Sequence, residues 1–203
     1  MNKKPHRNVK TMTSKKEQME LLRRAREGDF DAFAALTEPH RESACMFIAQ
    51  LTGESDAEDV FMTALLKAWK SINTFSERSS YKTWLFSITR FTALDYLRSR
   101  KARKEVSTED EEIGLTASTI ADSDAESPSL KIQADEKNEI IKNALNELSQ
   151  AHKEVIELYY YQDFKYNEIA NILDISVGTV MSRLHHAKSN LAKTLEQHKN
   201  ELL

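Results

Sequence analysis

The stretch YNEIANILDISVGTVMSRLHHAKSNLAKTL, residues 166–195, is the most informative part of the sequence. Tyr166–Leu173 has the apolar spacing of a short helix, and Asp174–Ile175 forms a tight turn after it. Ser176 is a favourable N-cap residue, and apolar residues again recur at helical spacing beyond it. Two helices, a short turn and the small Ala170 at their close approach predict a helix-turn-helix. The residues expected to pack its helices together are Ile169, Ala170, Leu173, Ile175, Val177, Val180 and Leu184.

The second helix of such a motif lies in the DNA major groove, with its first turns at base edges. Its outward face offers Thr179, Met181, Ser182, Arg183, His185, His186 and Lys188. Arg183 is the strongest candidate, because a guanidinium binds either guanine or phosphate, and both choices stay open. Asp174 stands where glycine would fit most easily, although aspartate tolerates left-handed backbone better than most residues. The alternative is a helical hairpin with no role on DNA.

A second set of apolar positions, in residues 30–94, predicts further helices. Phe30 to Leu51 is one helical region that is imperfect around Pro39, and Gly53 breaks the chain. Ser55 and Glu58 have the spacing of a capping box that starts a new helix. That helix buries Phe61, Leu65, Trp69 and Ile72, and it ends near Asn73. A polar loop, NTFSERSS, follows, and Ser79 or Ser80 caps a helix whose stripe is Tyr81, Trp84, Leu85, Ile88, Phe91 and Leu94.

This last helix is rich in aromatic residues near its start, and residues 98–104 hold five bases and no acid. Rings that stack on unpaired bases, beside cations that hold phosphates, are what single-stranded nucleic acid requires. The alternative is that Trp84 and Phe91 belong to the core and that the bases complement the helix dipole. Phe75 and Tyr81, on the loop side, are expected to be less constrained to a core.

Composition favours a helical protein. The 203 residues include only 4 glycines and 3 prolines, which argues against a many-stranded fold. A single cysteine excludes a disulfide framework, and no apolar run is long enough to cross a membrane. The net charge of −3 conceals an uneven distribution, because residues 105–130 carry 8 acids and no Lys or Arg. We expect an all-α chain in the cytoplasm, with a basic tail (1–16), a helical domain (17–104), a flexible acidic linker (105–131) and a second helical domain (132–203).

Together these segments resemble a group IV sigma factor of bacterial RNA polymerase, the extracytoplasmic-function subfamily of the sigma-70 family. The similarity to sigma region 2 lies in GDFDAFAAL (28–36), ESDAEDVFMTALLKAWKSINTF (54–75) and SSYKTWLFSITRFTALDYLRSRKARK (79–104). The similarity to region 4 lies in residues 144–191, which include NEIA and SVGTVMSRLHHAK. The resemblance implies a non-enzymatic subunit that binds core RNA polymerase and promoter DNA, and is held by an anti-sigma factor.

The resemblance also implies roles for particular residues. Docking on the clamp helices of the polymerase falls on Asp56, Glu58, Asp59, Met62, Thr63, Lys67 and Trp69, and region 4 meets the polymerase flap. Capture of a flipped base of the promoter −10 element and tracking of the opened strand fall on Asn73, Phe75, Ser76, Arg78, Ser79, Tyr81, Trp84, Arg90, Arg98, Arg100 and Lys101. Reading of the −35 element falls on Ser176, Thr179, Met181, Ser182, Arg183, His185, His186 and Lys188.

The chain departs from the family pattern in both regions. Met62 and Thr63 stand where relatives commonly have glutamine followed by an acid, which removes one acidic contact to the clamp. Met181 and His186 stand where many relatives have bases, which weakens phosphate attraction. Both departures affect the affinity expected at these surfaces, and the second also affects the −35 sequence that is preferred.

A free-standing transcription regulator and an enzyme are the two alternatives to a sigma factor. A free-standing regulator that binds duplex DNA through the helix-turn-helix has no use for a flipped-base pocket. An enzyme is disfavoured, because no nucleophile–base pair, phosphate-binding glycine loop or metal cluster is visible, and no cofactor is expected. His185 and His186 are neighbours on a helix and face about 100° apart, which favours a surface role over metal binding. Cys45 lies in an apolar helical run and is interpreted as a small buried residue.

Overall fold

The computed structural model describes residues 14–107, 140–141 and 143–197, and gives side chains for all of these except residues 104–107. Their regular structure is entirely helical, as the predicted all-α class requires. Residues 15–16 and 105–107 are helical, so the helices extend slightly beyond the predicted limits of 17 and 104. Residues 1–13 of the predicted basic tail and 108–131 of the predicted acidic linker lie outside the described residues. The chain divides into two compact units after Ala93.

The first part of the chain contains α1 (Lys15–Arg26), α2 (Phe30–Thr37), α3 (Arg41–Thr52), α4 (Glu54–Ser71) and the start of α5 (Tyr81–Ser107). Ser14 begins α1, since its hydroxyl accepts a hydrogen bond from the Glu17 amide at 3.2 Å. Asp29 begins α2 in the same way, with the Ala32 amide at 3.0 Å. The irregularity predicted at Pro39 is a single tight turn, Glu38–His40, that separates α2 from α3.

The predicted capping box at the start of α4 was wrong. The helix begins at Glu54, directly after Gly53, which adopts a positive φ of 95°. The Ser55 hydroxyl bonds the Asp56 carboxylate at 3.3 Å and caps no backbone amide. Glu54 and Asp56 in the first turn instead complement the positive end of the helix dipole.

Helices α1, α2, α4 and α5 share one hydrophobic cluster. Its buried members are Leu22, Ala25, Ala32, Phe33, Leu36, Ala68, Ile72, Phe75, Tyr81 and Leu85. Leu65, Trp69, Trp84 and Ile88 pack against them from partly exposed positions. This arrangement confirms the stripe predicted for α4. Phe91, however, is 56% exposed, so its assignment to the α5 stripe was wrong.

The second part contains α6 (residues 140–141 and 143–146), α7 (Gln150–Ile156), α8 (Tyr166–Leu173) and α9 (Val177–Gln197). Ser149 lies at the break between α6 and α7, and a wide helical turn, Glu157–Tyr161, continues α7. Glu157 is buried on this turn, and burial raises the pKa of its carboxyl group. The Gln162 side chain donates a hydrogen bond to the Glu157 carboxylate at 2.9 Å, which satisfies one buried oxygen.

His40 makes the stability of the first unit dependent on pH. Its ring is partly buried against Tyr81, with the ring centroids 6.1 Å apart. Burial, with a smaller effect of the nearby Lys82 cation, lowers the pKa of His40 to about 4. The unfolded chain therefore binds a proton at His40 between about pH 6.5 and pH 4, where the folded chain does not.

We therefore predict that the free energy of unfolding falls by about 1–3 kcal/mol from this group as the pH drops from 7 to 4. Urea unfolding followed by tryptophan fluorescence measures it, because Trp69 and Trp84, the protein's 2 tryptophans, both lie in the first unit. His40→Gln should flatten the slope in this range, while His185→Gln, at an exposed position on α9, should not. Equal slopes in the wild type and His40→Gln would contradict the prediction.

Candidate functional site

The loop between α4 and α5 is anchored at both ends by buried aromatic rings. Phe75 is 5% exposed and Tyr81 is 3% exposed, and their ring centroids lie 6.0 Å apart in an edge-to-face arrangement. Trp84 packs on both rings, at 5.2 Å from Phe75 and 5.6 Å from Tyr81. The expectation that Phe75 and Tyr81 are less constrained to a core was therefore wrong.

Arg26, at the end of α1, holds this loop from the opposite side. Its guanidinium donates one hydrogen bond to the Glu77 carboxylate at 2.9 Å and another to the Phe75 carbonyl oxygen. Glu77 has a positive φ of 58°, an uncommon conformation for a residue other than glycine. The two bonds hold the loop on either side of Ser76, one at the Phe75 backbone and one at the Glu77 side chain. At the end of the loop, Ser80 caps α5 by accepting a hydrogen bond from the Thr83 amide at 3.0 Å, as predicted.

A cavity of about 460 Å³ lies between α1 and this loop. Its lining residues are Lys15, Gln18, Met19, Leu22, Leu36, Phe75, Glu77, Ser79, Ser80 and Tyr81. The volume is in the range of cavities that hold small organic ring systems. Of the residues predicted at a −10 pocket, Phe75, Ser79 and Tyr81 line it, while Asn73, Ser76 and Arg78 are exposed on the loop outside its lining.

The α1 wall of this cavity was missed from the sequence. A signal existed, because Ser14 followed by Glu17 has the spacing of a helix N-terminus. Residues up to 16 were assigned to the basic tail, and no helix was predicted over residues 17–26. The residues predicted to track a strand lie along α5: Arg90 is half-buried, and Arg98, Arg100 and Lys101 are exposed. Arg98 also pairs with Asp95 at 3.3 Å.

One face of α4 is exposed and partly apolar. Asp59, Met62 and Thr63 lie on it together with Leu66, which is 59% exposed and was not predicted. Next to this face, a groove of about 190 Å³ runs between α2 and α4. Its lining residues are Phe30, Phe33, Ala34, Thr37, Glu38, Arg41, Phe61, Met62, Leu65, Leu66 and Trp69.

The remaining residues predicted for docking make contacts within the unit. Trp69 packs edge-to-face against Phe30 at 5.5 Å and Phe33 at 5.1 Å. Lys67 lies over the exposed Phe91 ring at 5.3 Å. Glu58 pairs with Arg41 across α3 and α4, and Asp56 is half-buried in the first turn of α4. Of the residues predicted for docking, Asp59, Met62 and Thr63 are therefore the ones that lie on the exposed face of α4.

Cys45 also contacts Glu58, the partner of Arg41. It is half-buried, and its thiol donates a hydrogen bond to the Glu58 carboxylate at 3.4 Å. Burial, then Glu58, raises the pKa of the Cys45 thiol to about 12. The thiolate that nucleophilic chemistry requires is therefore scarce at neutral pH.

The predicted helix-turn-helix is present in α8 and α9. Asp174 ends α8 with the left-handed φ of 52° that its position requires, and the Ile175 amide donates to the Ala170 carbonyl at 3.0 Å. Ser176 caps α9 by accepting a hydrogen bond from the Thr179 amide at 3.1 Å. The predicted packing residues Ile169, Ala170, Leu173, Val180 and Leu184 are buried and Ile175 is half-buried, whereas Val177 is 37% exposed and was wrongly included.

The outward face of α9 combines exposed and half-buried residues. Met181, Ser182, His185 and His186 are exposed, while Thr179 and Arg183 are half-buried. The Lys188 ammonium lies 6.0 Å from the Tyr160 ring centroid, and a hydrogen bond to Tyr160 raises the pKa of Lys188. Tyr160 belongs to a tyrosine cluster that sequence reasoning missed: it contacts Tyr159 at 4.9 Å, and Tyr159 contacts Tyr166 at 5.3 Å.

In the part of the chain that the structure describes, no helix combines the length and apolar character needed to span a membrane. Nor does that part of the chain bring three or more His, Cys, Asp or Glu side chains together in a group that could hold a metal ion. His185 and His186 have ring centroids 5.6 Å apart and belong to no such group.

Comparison with known families matches both parts of the chain. Residues 36–103 match the model for Sigma-70 region 2, and residues 138–191 match that for Sigma-70 region 4. The sigma-E factor of Haemophilus influenzae is 27% identical over 179 residues, covering 87% of this chain and 94% of that protein. The sigma factor SigL of Mycobacterium tuberculosis is 32% identical over 165 residues, covering 80% and 88%. Both carry the designation ECF RNA polymerase sigma factor.

Two solved structures are similar to the chain. One is the sigma factor RpoE in complex with the anti-sigma factor NepR from Bartonella quintana, with a TM-score of 0.64 and 27% identity, covering 81% of this chain and 96% of that one. The other is CnrH in complex with the cytosolic domain of CnrY, with a TM-score of 0.62 and 22% identity, covering 89% and 98%. The second similarity supports the fold alone.

The burial of Phe75 predicts that this ring stabilises the fold of the first unit. Phe75→Ala should lower the free energy of unfolding of the first unit by about 3–5 kcal/mol, because it leaves a cavity in the cluster. Phe91→Ala should cost less than about 1 kcal/mol, because this ring is 56% exposed and its substitution removes the surface contact with Lys67. Urea unfolding followed by tryptophan fluorescence compares the two. Similar losses for both would contradict the burial of Phe75.

Proposed function

The chain belongs to the extracytoplasmic-function group of the sigma-70 family, and we propose on that premise how its surfaces work. It is a sigma factor that binds core RNA polymerase in the cytoplasm and directs promoter-specific initiation without catalysing a reaction itself. The single observation that carries the proposal is the match of regions 2 and 4, in order, on one chain. Region 2 supplies the loop with its cavity, and region 4 supplies the helix-turn-helix.

The first unit reads the −10 element. An unstacked base needs an apolar surface to lie on and polar groups at its edge, and the cavity beside the α4–α5 loop offers both. Ser79 supplies a hydroxyl in the lining, while the exposed Asn73, Ser76 and Arg78 face the approaching strand. The buried Phe75 and Tyr81 form the floor, and Trp84 supports them. Arg90, Arg98, Arg100 and Lys101 neutralise phosphates of the opened strand along α5.

The exposed face of α4 docks on the clamp helices of the polymerase. The chain lacks an acid at positions 62 and 63, so we assign part of the binding energy to apolar contact by Met62, Leu66 and the adjacent groove. Asp59 contributes charge at the edge of this surface. Asp56, Glu58, Lys67 and Trp69 support the helix through the contacts described above. Region 4 contacts the polymerase flap.

Helix α9 reads the −35 element. Its N-terminal amides, behind the Ser176 cap and Thr179, face phosphate, and Met181, Ser182, His185 and His186 are exposed to the groove. Arg183 is half-buried, which limits the directions its guanidinium takes and favours a fixed contact with one base. Lys188 lies beyond these residues and reaches phosphate only by leaving Tyr160.

We also propose that an anti-sigma factor regulates the chain. The similar RpoE structure contains the anti-sigma factor NepR, and that chain matches 81% of this one. A regulator that covers the apolar groove beside α4 would prevent docking on the polymerase, because both need the same surface.

Substitution in the groove tests the docking surface. Met62→Lys should weaken binding of the full chain to bacterial core RNA polymerase about tenfold or more, because the polymerase would desolvate the added charge and a surface that binds acids would repel it. Met46→Lys is the matched control, since Met46 on α3 is 51% exposed, Met62 is 48% exposed, and Met46 lies outside the groove lining. Anisotropy titration of the labelled chain with core polymerase measures the affinity.

The same preparations test the proposed function in a run-off transcription assay. The wild type and Met46→Lys should support initiation with core polymerase, and Met62→Lys should do so only at higher concentration. Absence of core-dependent initiation by the wild type would overturn the sigma assignment. Tight, specific duplex binding without core would favour a free-standing regulator.

Arg183→Ala tests how α9 reads DNA. It should remove the preference for one base of the −35 element, at a cost of about 1–3 kcal/mol in discrimination. In vitro transcription from a promoter library randomised over the −35 element, followed by sequencing, measures that preference. Lys193→Ala, at an exposed position later on α9, is the control and should leave the preference intact. A uniform loss across all sequences would place Arg183 on phosphate or in the scaffold.

A further inference from the structure

The cavity beside the α4–α5 loop has a second wall, which helix α1 provides. Lys15, Gln18, Met19 and Leu22 of α1 line it, opposite residues of the loop. The family model for region 2 matches residues 36–103, so this helix lies outside the matched part of the chain. Its contribution follows from the geometry of this structure.

The walls of the cavity suit a single flat ring. Met19, Leu22, Leu36 and Phe75 supply apolar surface, and a few polar groups surround it. A heterocycle that has left its stack has the same division between apolar faces and a hydrogen-bonding edge. Under the proposed function, the ring that arrives here is a nucleobase of the opened promoter strand.

Most of the polar groups in the lining already have partners within the protein. The Glu77 carboxylate is paired with Arg26 at 2.9 Å. The Tyr81 hydroxyl shares a hydrogen bond with Thr37 at 2.8 Å, and the Ser80 hydroxyl bonds the Thr83 hydroxyl at 2.7 Å while accepting from the Thr83 amide. These groups shape the cavity, and the hydrogen bond from Arg26 reaches only Oε1 of Glu77, so the other carboxylate oxygen can accept from a base but cannot donate to one.

Three polar side chains remain: Lys15, Gln18 and Ser79. Lys15 is a point charge that recognises phosphate and does not distinguish bases. The hydroxyl of Ser79 donates or accepts, so it is compatible with any base. Gln18 carries a donor and an acceptor in one planar group, and within the described residues no hydrogen bond occupies its side chain. Among these three, it alone has the chemistry to tell one base edge from another.

We propose that Gln18 is a specificity-determining residue that reads the edge of the flipped −10 base, and that Arg26 is a positioning residue that holds the loop opposite it. The proposal rests on the proposed function. Arg26 acts through Glu77 and the Phe75 carbonyl group, and these contacts set the separation of the loop from α1. A nucleobase is therefore held between two elements, and the identity of that base is read from α1.

The test is in vitro transcription with core polymerase from a promoter library randomised over the −10 element. Gln18→Ala should reduce the preference at one −10 position about fivefold or more, and leave other positions and the −35 preference unchanged. Gln18→Glu, which replaces the amide donor by an acceptor, should change which base is preferred at that same position. Lys16→Ala, exposed on α1 and outside the lining, is the control and should reproduce the wild-type preferences.

A second pair of variants tests the positioning role. Arg26→Ala should weaken the preference at the position that Gln18 controls, while Arg23→Ala, which removes exposed ion pairs of the same helix, should not. Glu77→Gln removes the ion pair with a smaller change and serves if Arg26→Ala fails to fold. A loss of preference spread over all −10 positions, with Glu77→Gln behaving as the wild type, would overturn this role.

The outcomes distinguish failure of the proposed function from failure of the role of Gln18 alone. No core-dependent transcription by the wild type would overturn the proposed function and this inference with it. Normal wild-type transcription, with Gln18→Ala preferences unchanged or uniformly weakened, would overturn the inference alone.

Discussion

Phe75 and Tyr81 bury the two ends of the loop between α4 and α5, and the candidate sites of the first unit depend on that constraint. The rings bring α1, α2, α4 and α5 to one cluster, which fixes where the loop leaves and rejoins the core. The residues between them are held out of the core, and Arg26 bonds the Phe75 carbonyl group and the Glu77 carboxylate. A loop anchored in this way has few conformations to lose, which lowers the ordering cost of binding.

The helix-turn-helix could be predicted from the sequence because its signals are local. The Ser176 cap, the left-handed Asp174 and the helical spacing of Ile169, Val180 and Leu184 each act within a few residues. The same holds for the Ser80 cap and for the buried stripe of α4. Such features depend on the chain's own neighbours along the sequence, so their positions in the structure agree with expectation.

The remaining features depend on tertiary packing, which spacing alone does not contain. Phe75 and Phe91 are the same residue type near the same helix, yet one is 5% and the other 56% exposed. The difference arises because α1 and α2 pack on the cluster that contains Phe75, and no helix was predicted over residues 17–26. The Ser55 capping pattern failed because Gly53 starts α4 earlier. The resemblance to region 2 predicted a site at the loop between α4 and α5. The opposite wall of the cavity is α1, a helix that was not predicted.

The charges of the second domain limit what α9 does on its own. Residues 132–203 carry 8 bases and 11 acids, so the domain has little long-range attraction for phosphate. Of the cations on α9, Arg183 is half-buried and Lys188 is engaged by Tyr160. The affinity of α9 for duplex DNA must therefore come from few contacts. Under the proposed function, docking of the first unit on polymerase raises the local concentration of promoter at α9, since a tethered second contact binds as an intramolecular event. Weak DNA binding by α9 then becomes a condition of specificity, because the domain acts where polymerase is already present.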